Sequence, residues 1–352
     1  MTDTEVTRPA QAVSAATRLR ELAFGAMSAG ALRAALRLGL PDALGDEPAT
    51  VEELATEVSA HPGALHRLLR ALACQGVFAE EPDGRYAHTD ASLLLRADAP
   101  RSMRDVALWS TEPWTWQAWP HLDRAVRTGT SVFPELHGKQ FFDYLHEDAP
   151  ESAAALDRAM TQSSRQSAQD VTAALDLTDV DSVADIGGGQ GLVLATLLEH
   201  NPTLRGTLLD LPGVVATADP RLRAGGELAS RARLVGGDCR VDIPIRADLY
   251  LVKNILEWDD DSTRRTLHNI ASAAGPGARV VVIENLVDET ASMRFTAAMD
   301  LLLLLNVGGR KHTRDSLLTL IEQAGLRCRD VRTVNPSLHL FECTVDGRHH
   351  HR

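Results

Sequence analysis

The chain is 352 residues long, enough for two domains, with 44% hydrophobic and 24% charged residues. It has no apolar run near the roughly 18 residues of a membrane span. The four cysteines, Cys74, Cys239, Cys328 and Cys343, lack the short paired spacing of a disulfide framework or zinc knuckle, and a net charge of −12 opposes binding to a phosphate backbone. These properties describe a soluble globular protein with no nucleic-acid or membrane partner. Its polar opening, without a basic start and apolar stretch, leads us to expect a cytoplasmic location. The tail "GRHHHR" is set aside from site reasoning.

The first hundred residues read as helices closed by a hairpin. "SAATRLRELAFGAMSAGALRAALRLGLPDAL" has helical apolar spacing and ends at Gly-Leu-Pro. Thr50 and Glu53 form a capping box before "VEELATEV", the helix "HPGALHRLLRALACQGV" follows, and Asp83-Gly84 turns a short hairpin. This order resembles a winged helix-turn-helix. The presumed recognition helix offers only Arg67 and Arg70, so packing or dimerisation is the better reading than DNA binding. Residues 101–170 read as connecting helices that hold Trp109, Trp114, Trp116 and Trp119. With Phe133, Phe141, Phe142 and Tyr144, these form either a core or the lining of a pocket for a flat apolar ligand.

From about residue 171 to 346 strands alternate with helices, the pattern of a parallel sheet covered on both faces, with ligands at the strand carboxyl ends. "VADIGGGQG" puts Gly187 and Gly189 at the first strand-to-helix turn, where the backbone can approach a ligand. Leu192 stands where a dinucleotide fingerprint needs its third glycine, which argues against NAD. Asp185, Asp210 and Asp238 fall at or near three successive strand ends. They suit a charged amino-acid moiety, two ribose hydroxyls and an adenine amino group. A nucleoside with positive charge and no phosphate fits that set, and S-adenosylmethionine has that description.

In order and spacing, "VADIGGGQG", "LLDLPGVV", "GGD", "DLYLVKNILEWDDDSTRRTLHNI" and "MDLLLLLNVGGRKHT" resemble the small-molecule S-adenosylmethionine-dependent O-methyltransferases with a winged-helix dimerisation domain. That family includes plant caffeate and flavonoid enzymes and bacterial enzymes acting on aromatic polyketides. The resemblance implies an α/β, Rossmann-like class I methyltransferase domain with a mostly parallel seven-stranded sheet, preceded by an all-helical or winged-helix dimerisation domain. It further implies a homodimer, an aromatic substrate, and a cofactor site of Asp185, Gly187, Gly189, Asp210, Leu211, Asp238, Cys239 and Lys253. Met160 and Ser164 fall where the linker helix reaches the cofactor, although Met160 could equally be core. No metal is expected.

The resemblance also exposes a gap. Family members carry a proton-abstracting His before an acid and Trp ("LHDW", "LHEW"), whereas this chain reads "NILEW". Counting back from Trp258, Leu256 takes the place of the His; counting forward from Lys253, Glu257 does. The family's "GGRERT" becomes "GGRKHT", so Lys311 replaces an orienting Glu, and only Glu284 is kept. Glu257, Glu284 and Asn306 are therefore the expected catalytic set, with His121, His137, His146 and His312 as weaker candidates for the base. The leading expectation is O-methylation of a hydroxyl or carboxylate of an aromatic secondary metabolite, carried by proximity with an atypical or absent general base. The alternatives are a cofactor-binding relative that catalyses hydroxylation, decarboxylation, a pericyclic step or C-methylation, and a ligand-sensing winged-helix regulator.

Overall fold

The computed structural model describes residues 14–275, 277–289 and 293–345. The polar opening and the histidine-bearing tail lie outside them. The chain divides into two compact units, Met1–Thr111 and Glu112–Arg352. The helix Arg104–Ser110 belongs to the first unit, so the division falls about ten residues beyond the expected one at 100.

In the first unit, the helix Val51–Glu57 starts at the expected capping box, with Thr50 and Glu53 each satisfying the other's backbone N–H. The helix Pro62–Ala73 follows, then strands β1 (Phe78–Glu80) and β2 (Tyr86–His88), paired antiparallel. Between these strands Gly84 takes a positive φ of 83°, which a side chain would resist. Their apolar faces close one core around Leu40, Leu54, Leu65, Leu69, Phe78 and Tyr86. The first helix, Ala15–Ala23, buries no residue, and Leu19, Leu22, Phe24 and Met27 are all exposed.

The second unit is built on seven strands: β3 (Ser182–Ile186), β4 (Arg205–Asp210), β5 (Ala232–Gly236), β6 (Leu249–Lys253), β7 (Arg279–Glu284), β8 (Leu326–Asn335) and β9 (Leu338–Val345). Their order is β5-β4-β3-β6-β7-β9-β8. The first five are parallel, and β9 runs antiparallel to both neighbours. Away from their ends the central strands are mostly apolar, as strands buried on both faces are, and one core cluster packs on each side of the sheet. The carboxyl ends of β3, β4, β6 and β7 therefore deliver Ile186, Asp210, Lys253 and Glu284 to one edge.

Candidate active site

Past β3 the chain turns sharply at Gly187, where an added Cβ would lie 2.7 Å from the Ile255 side chain. That close approach requires glycine. Asp185 is 2% exposed, and its Oδ2 has no protein partner. Burial pushes its carboxyl up to about 7, with Lys253 opposing and Asp210 adding to the rise. An unpartnered buried oxygen beside a glycine turn fits a ligand ammonium.

Asp210, at the end of β4, accepts N–H bonds from Gly189 (2.8 Å) and Leu211 (2.7 Å), one on each oxygen. Each oxygen keeps a free lone pair, so two vicinal hydroxyls can still be accepted. Burial raises this carboxyl to about 6. Lys253, at the end of β6, donates to the Ser164 hydroxyl at 3.3 Å, which joins the sheet edge to the long helix Pro150–Ala174. Burial depresses its pKa, and the acids Asp185, Glu284 and Glu257 counter the fall. Met160, on the same helix, is 42% exposed, so it is not a core residue in this chain.

The adenine end differs from the sequence expectation. Both oxygens of Asp238 are held by Arg240, with Nε and Nη2 at 2.8–3.2 Å, and the Arg240 guanidinium lies 5.3 Å from the centre of the Trp258 ring. Burial raises the Asp238 carboxyl, but the Arg240 hydrogen bonds outweigh it and leave the pKa lowered. An adenine amino group would share Asp238 with this cation. Cys239 packs in the core cluster, 7% exposed, and burial pushes its thiol up to about 12.

At the reaction end, the structure separates Leu256 from Glu257. Leu256 is fully buried in the core cluster. Its N–H donates to Glu284 Oε1 at 3.0 Å, and its carbonyl accepts from His312 Nε2 at 2.6 Å. Glu257 instead forms an ion pair with Lys311, both largely buried. Burial opposes the Lys311 charge, but Glu257 and Glu284 hold its pKa above the usual lysine range. Glu284 is 2% exposed and burial, with the neighbouring Glu257 charge, lifts its carboxyl to about 8. Asn306, on the helix Met293–Val307, is buried with Oδ1 unpartnered, as is Gln162 Oε1 on the long helix. These orphan acceptors are suited to polar ligand groups.

Of the aromatic side chains, Trp109, Trp114, Phe133 and Phe141 are buried, whereas Trp119 is 37% exposed. Trp114, Phe133, Phe141, Phe142 and Tyr144 pack against one another at centroid distances of 5.1–6.3 Å. His137 stacks within the cluster on Phe133 and Tyr144. Sequence reasoning missed Arg240, which folds back onto Asp238 two residues earlier. It also missed Asp157, a half-buried acid that raises the pKa of Asp210, for which the sequence carries no signal. Among the described residues no acid, His or Cys cluster could hold a metal, and no helix is long and apolar enough to cross a membrane.

Residues 119–327 match the O-methyltransferase domain model, and residues 20–98 match the O-methyltransferase dimerisation domain model. A mitomycin biosynthesis 6-O-methyltransferase of Streptomyces lavendulae is 39% identical over 88% of each chain. The structure of the mitomycin 7-O-methyltransferase superposes with a TM-score of 0.85 at 37% identity, covering 94% of this chain and 97% of that one. An O-methyltransferase from neocarzinostatin biosynthesis, solved with S-adenosylmethionine and 2-hydroxy-5-methyl naphthoic acid, superposes at 0.81 with 30% identity, covering 96% of this chain and 100% of that one. With its dimerisation segment, its seven-stranded sheet and the carboxylates at one strand edge, the chain belongs to the S-adenosylmethionine-dependent O-methyltransferase family.

Proposed function

We propose that this enzyme methylates an acidic phenolic hydroxyl or a carboxylate of an aromatic secondary metabolite, and that it does so by positioning, with no dedicated general base. The observation that carries this reading is the closed Glu257–Lys311 pair beside a Leu256 that faces the core. Glu257, the acid at the place of a base, is tied to a cation, and the residue before it is buried in the core.

S-adenosylmethionine supplies an electrophilic methyl group on a sulfonium. Asp185 would take its ammonium, Asp210 its ribose hydroxyls with Gly187, Gly189 and Leu211 shaping the turn, and Lys253 with Ser164 and Met160 would border the far side. Asn306 would orient the accepting oxygen. Glu284, whose carboxyl burial lifts to about 8, holds the Leu256 peptide by accepting its N–H. Lys311 keeps its charge and favours an anionic acceptor over a neutral one. The energetics allow this. A phenol of pKa near 10 costs roughly 4 kcal/mol to ionise at pH 7, and alignment in a bound complex contributes ~7–11 kcal/mol.

The match to a dimerisation model and the exposed Leu19, Leu22, Phe24 and Met27 support a homodimer. We also read the protein as cytoplasmic, with no nucleic-acid partner. The test is S-adenosylhomocysteine release across a series of phenols of graded acidity. Rates should rise as substrate pKa falls. Substrate conversion without S-adenosylhomocysteine would instead assign a non-methylating reaction.

A further inference from the structure

Two thiols that play no part in methyl transfer face each other at the sheet edge. Cys328 on β8 and Cys343 on β9 are register partners across an antiparallel pair. Directly opposed residues of such a pair point to the same face, with Cα atoms about 4.5–5.5 Å apart, within the span of about 4.4–6.8 Å that a disulfide bridges. Cys343 is buried in the core cluster, and Cys328 packs against that cluster partly exposed. The register slips between Cys328 and Asp330, leaving Arg329 without an opposite number. Such a bulge lets a strand shift locally.

The two thiols are unequal. Cys328 Sγ lies 3.4 Å from the Asp330 carbonyl and Cys343 Sγ 3.8 Å from the Phe341 carbonyl. The neighbouring Cys343 thiol and the Asp330 backbone hold the Cys328 pKa below the usual thiol range, although burial opposes this. Cys343 is pushed up by the neighbouring Cys328 thiol and by burial. The more accessible thiol is thus the more readily ionised of the two.

We propose that Cys328 and Cys343 are a reversible oxidation site that closes to an intramolecular disulfide on exposure to a peroxide. The Cys328 thiolate attacks a peroxide oxygen, the O–O bond breaks, and Cys328 becomes a sulfenic acid. When the oxidant is hydrogen peroxide the leaving hydroxide takes a proton from solvent, replacing the one lost on ionising Cys328, and departs as water. The Cys343 sulfur then attacks the Cys328 sulfur. The S–S bond forms, the S–O bond breaks, and hydroxide leaves with the Cys343 proton as a second water. Two electrons pass from the thiols to the peroxide. The product pins edge strand β8 to β9.

The test uses the full reduced chain, treated with hydrogen peroxide, then unfolded and capped with iodoacetamide for intact-mass and peptide analysis. Two of the four thiols should resist capping, no oxygen should be added, and one crosslinked peptide pair should join Cys328 to Cys343 until dithiothreitol is added. In Cys343→Ser, the sulfenic acid should persist at Cys328 and be captured by dimedone. In Cys328→Ser, all three remaining thiols should stay cappable. Four cappable thiols in the treated native chain, or linkage of either cysteine to Cys74 or Cys239, overturns the proposal. So does dimedone capture at Cys343 in the Cys328 variant.

Discussion

Glu257 is where the proton question can be settled. If positioning carries the reaction, Glu257→Gln should lower single-turnover methyl transfer by less than ~10-fold and the rate should climb with substrate ionisation between about pH 6 and 9. A loss of ~10²–10⁴-fold that ignores substrate pKa would make Glu257 the base. Asp210→Ala removes a charged acceptor for the ribose and strands the N–H groups of Gly189 and Leu211. Cofactor affinity should fall by ~1.5–3 kcal/mol, and calorimetry giving an unchanged affinity would remove the ribose assignment. Glu284 links stability to pH. Its carboxyl sits near 8 in the fold against an ordinary 4.5, so between those values the native state binds the extra proton. Stability should therefore fall as pH rises through that window, by at most ~1.4 kcal/mol per pH unit from this group. Asp185 adds the same sign up to about 7. In denaturant titrations Glu284→Gln should flatten the slope, and an identical slope in both proteins would show that Glu284 is not the linked group. The carboxylates at the strand ends were legible because their spacing follows the strand rhythm. Arg240 closing on Asp238 was not, because a side chain folding back two residues leaves no periodic trace.

At the scale of elements, local chemistry reads well and tertiary choice does not. The Thr50 capping box and the Asp83-Gly84 turn are where the sequence puts them, since both depend on residues within a few positions. The aromatic segment 114–144 carries the composition of either a pocket or a core, and only packing between separate helices buries Trp114, Phe133 and Phe141 while leaving Trp119 exposed. The one-residue shortening before Trp258 likewise left Leu256 and Glu257 interchangeable until the segment met its neighbours. Gly309 is one of them. A Cβ there would lie 1.8 Å from the Glu257 carbonyl oxygen, so Gly309→Ala must push the Glu257–Lys311 segment away from the helix end. We expect a loss of ~1–3 kcal/mol in stability and a turnover defect larger than that of Glu257→Gln. A variant with native melting and native turnover would mean that the contact is easily relieved.

For the whole molecule, the exposed apolar residues of the first helices set the expectation. A helix that buries nothing yet carries Leu19 and Leu22 at 67% and 72% exposure does not gain enough from its own chain to stay ordered in water. A second copy of the chain is the partner that the dimerisation match indicates. Light scattering at micromolar concentration should give twice the chain mass, and Leu22→Asp should shift the species towards the monomer. A monomeric native chain at that concentration would exclude the homodimer.

The clamp on Leu256 also bears on how a base could be built into this enzyme. Because Glu284 fixes its N–H and His312 its carbonyl, the direction of side chain 256 is set by the backbone, and Leu256→His would drive an imidazole into a sealed apolar core. Histidine catalysis would have to be introduced by lengthening the chain between Leu256 and Glu257. It would also require releasing Lys311 from its present partner, so the route passes through an insertion and at least one further change together. A histidine base is therefore not one point mutation away, and directed evolution limited to substitutions should fail to install one.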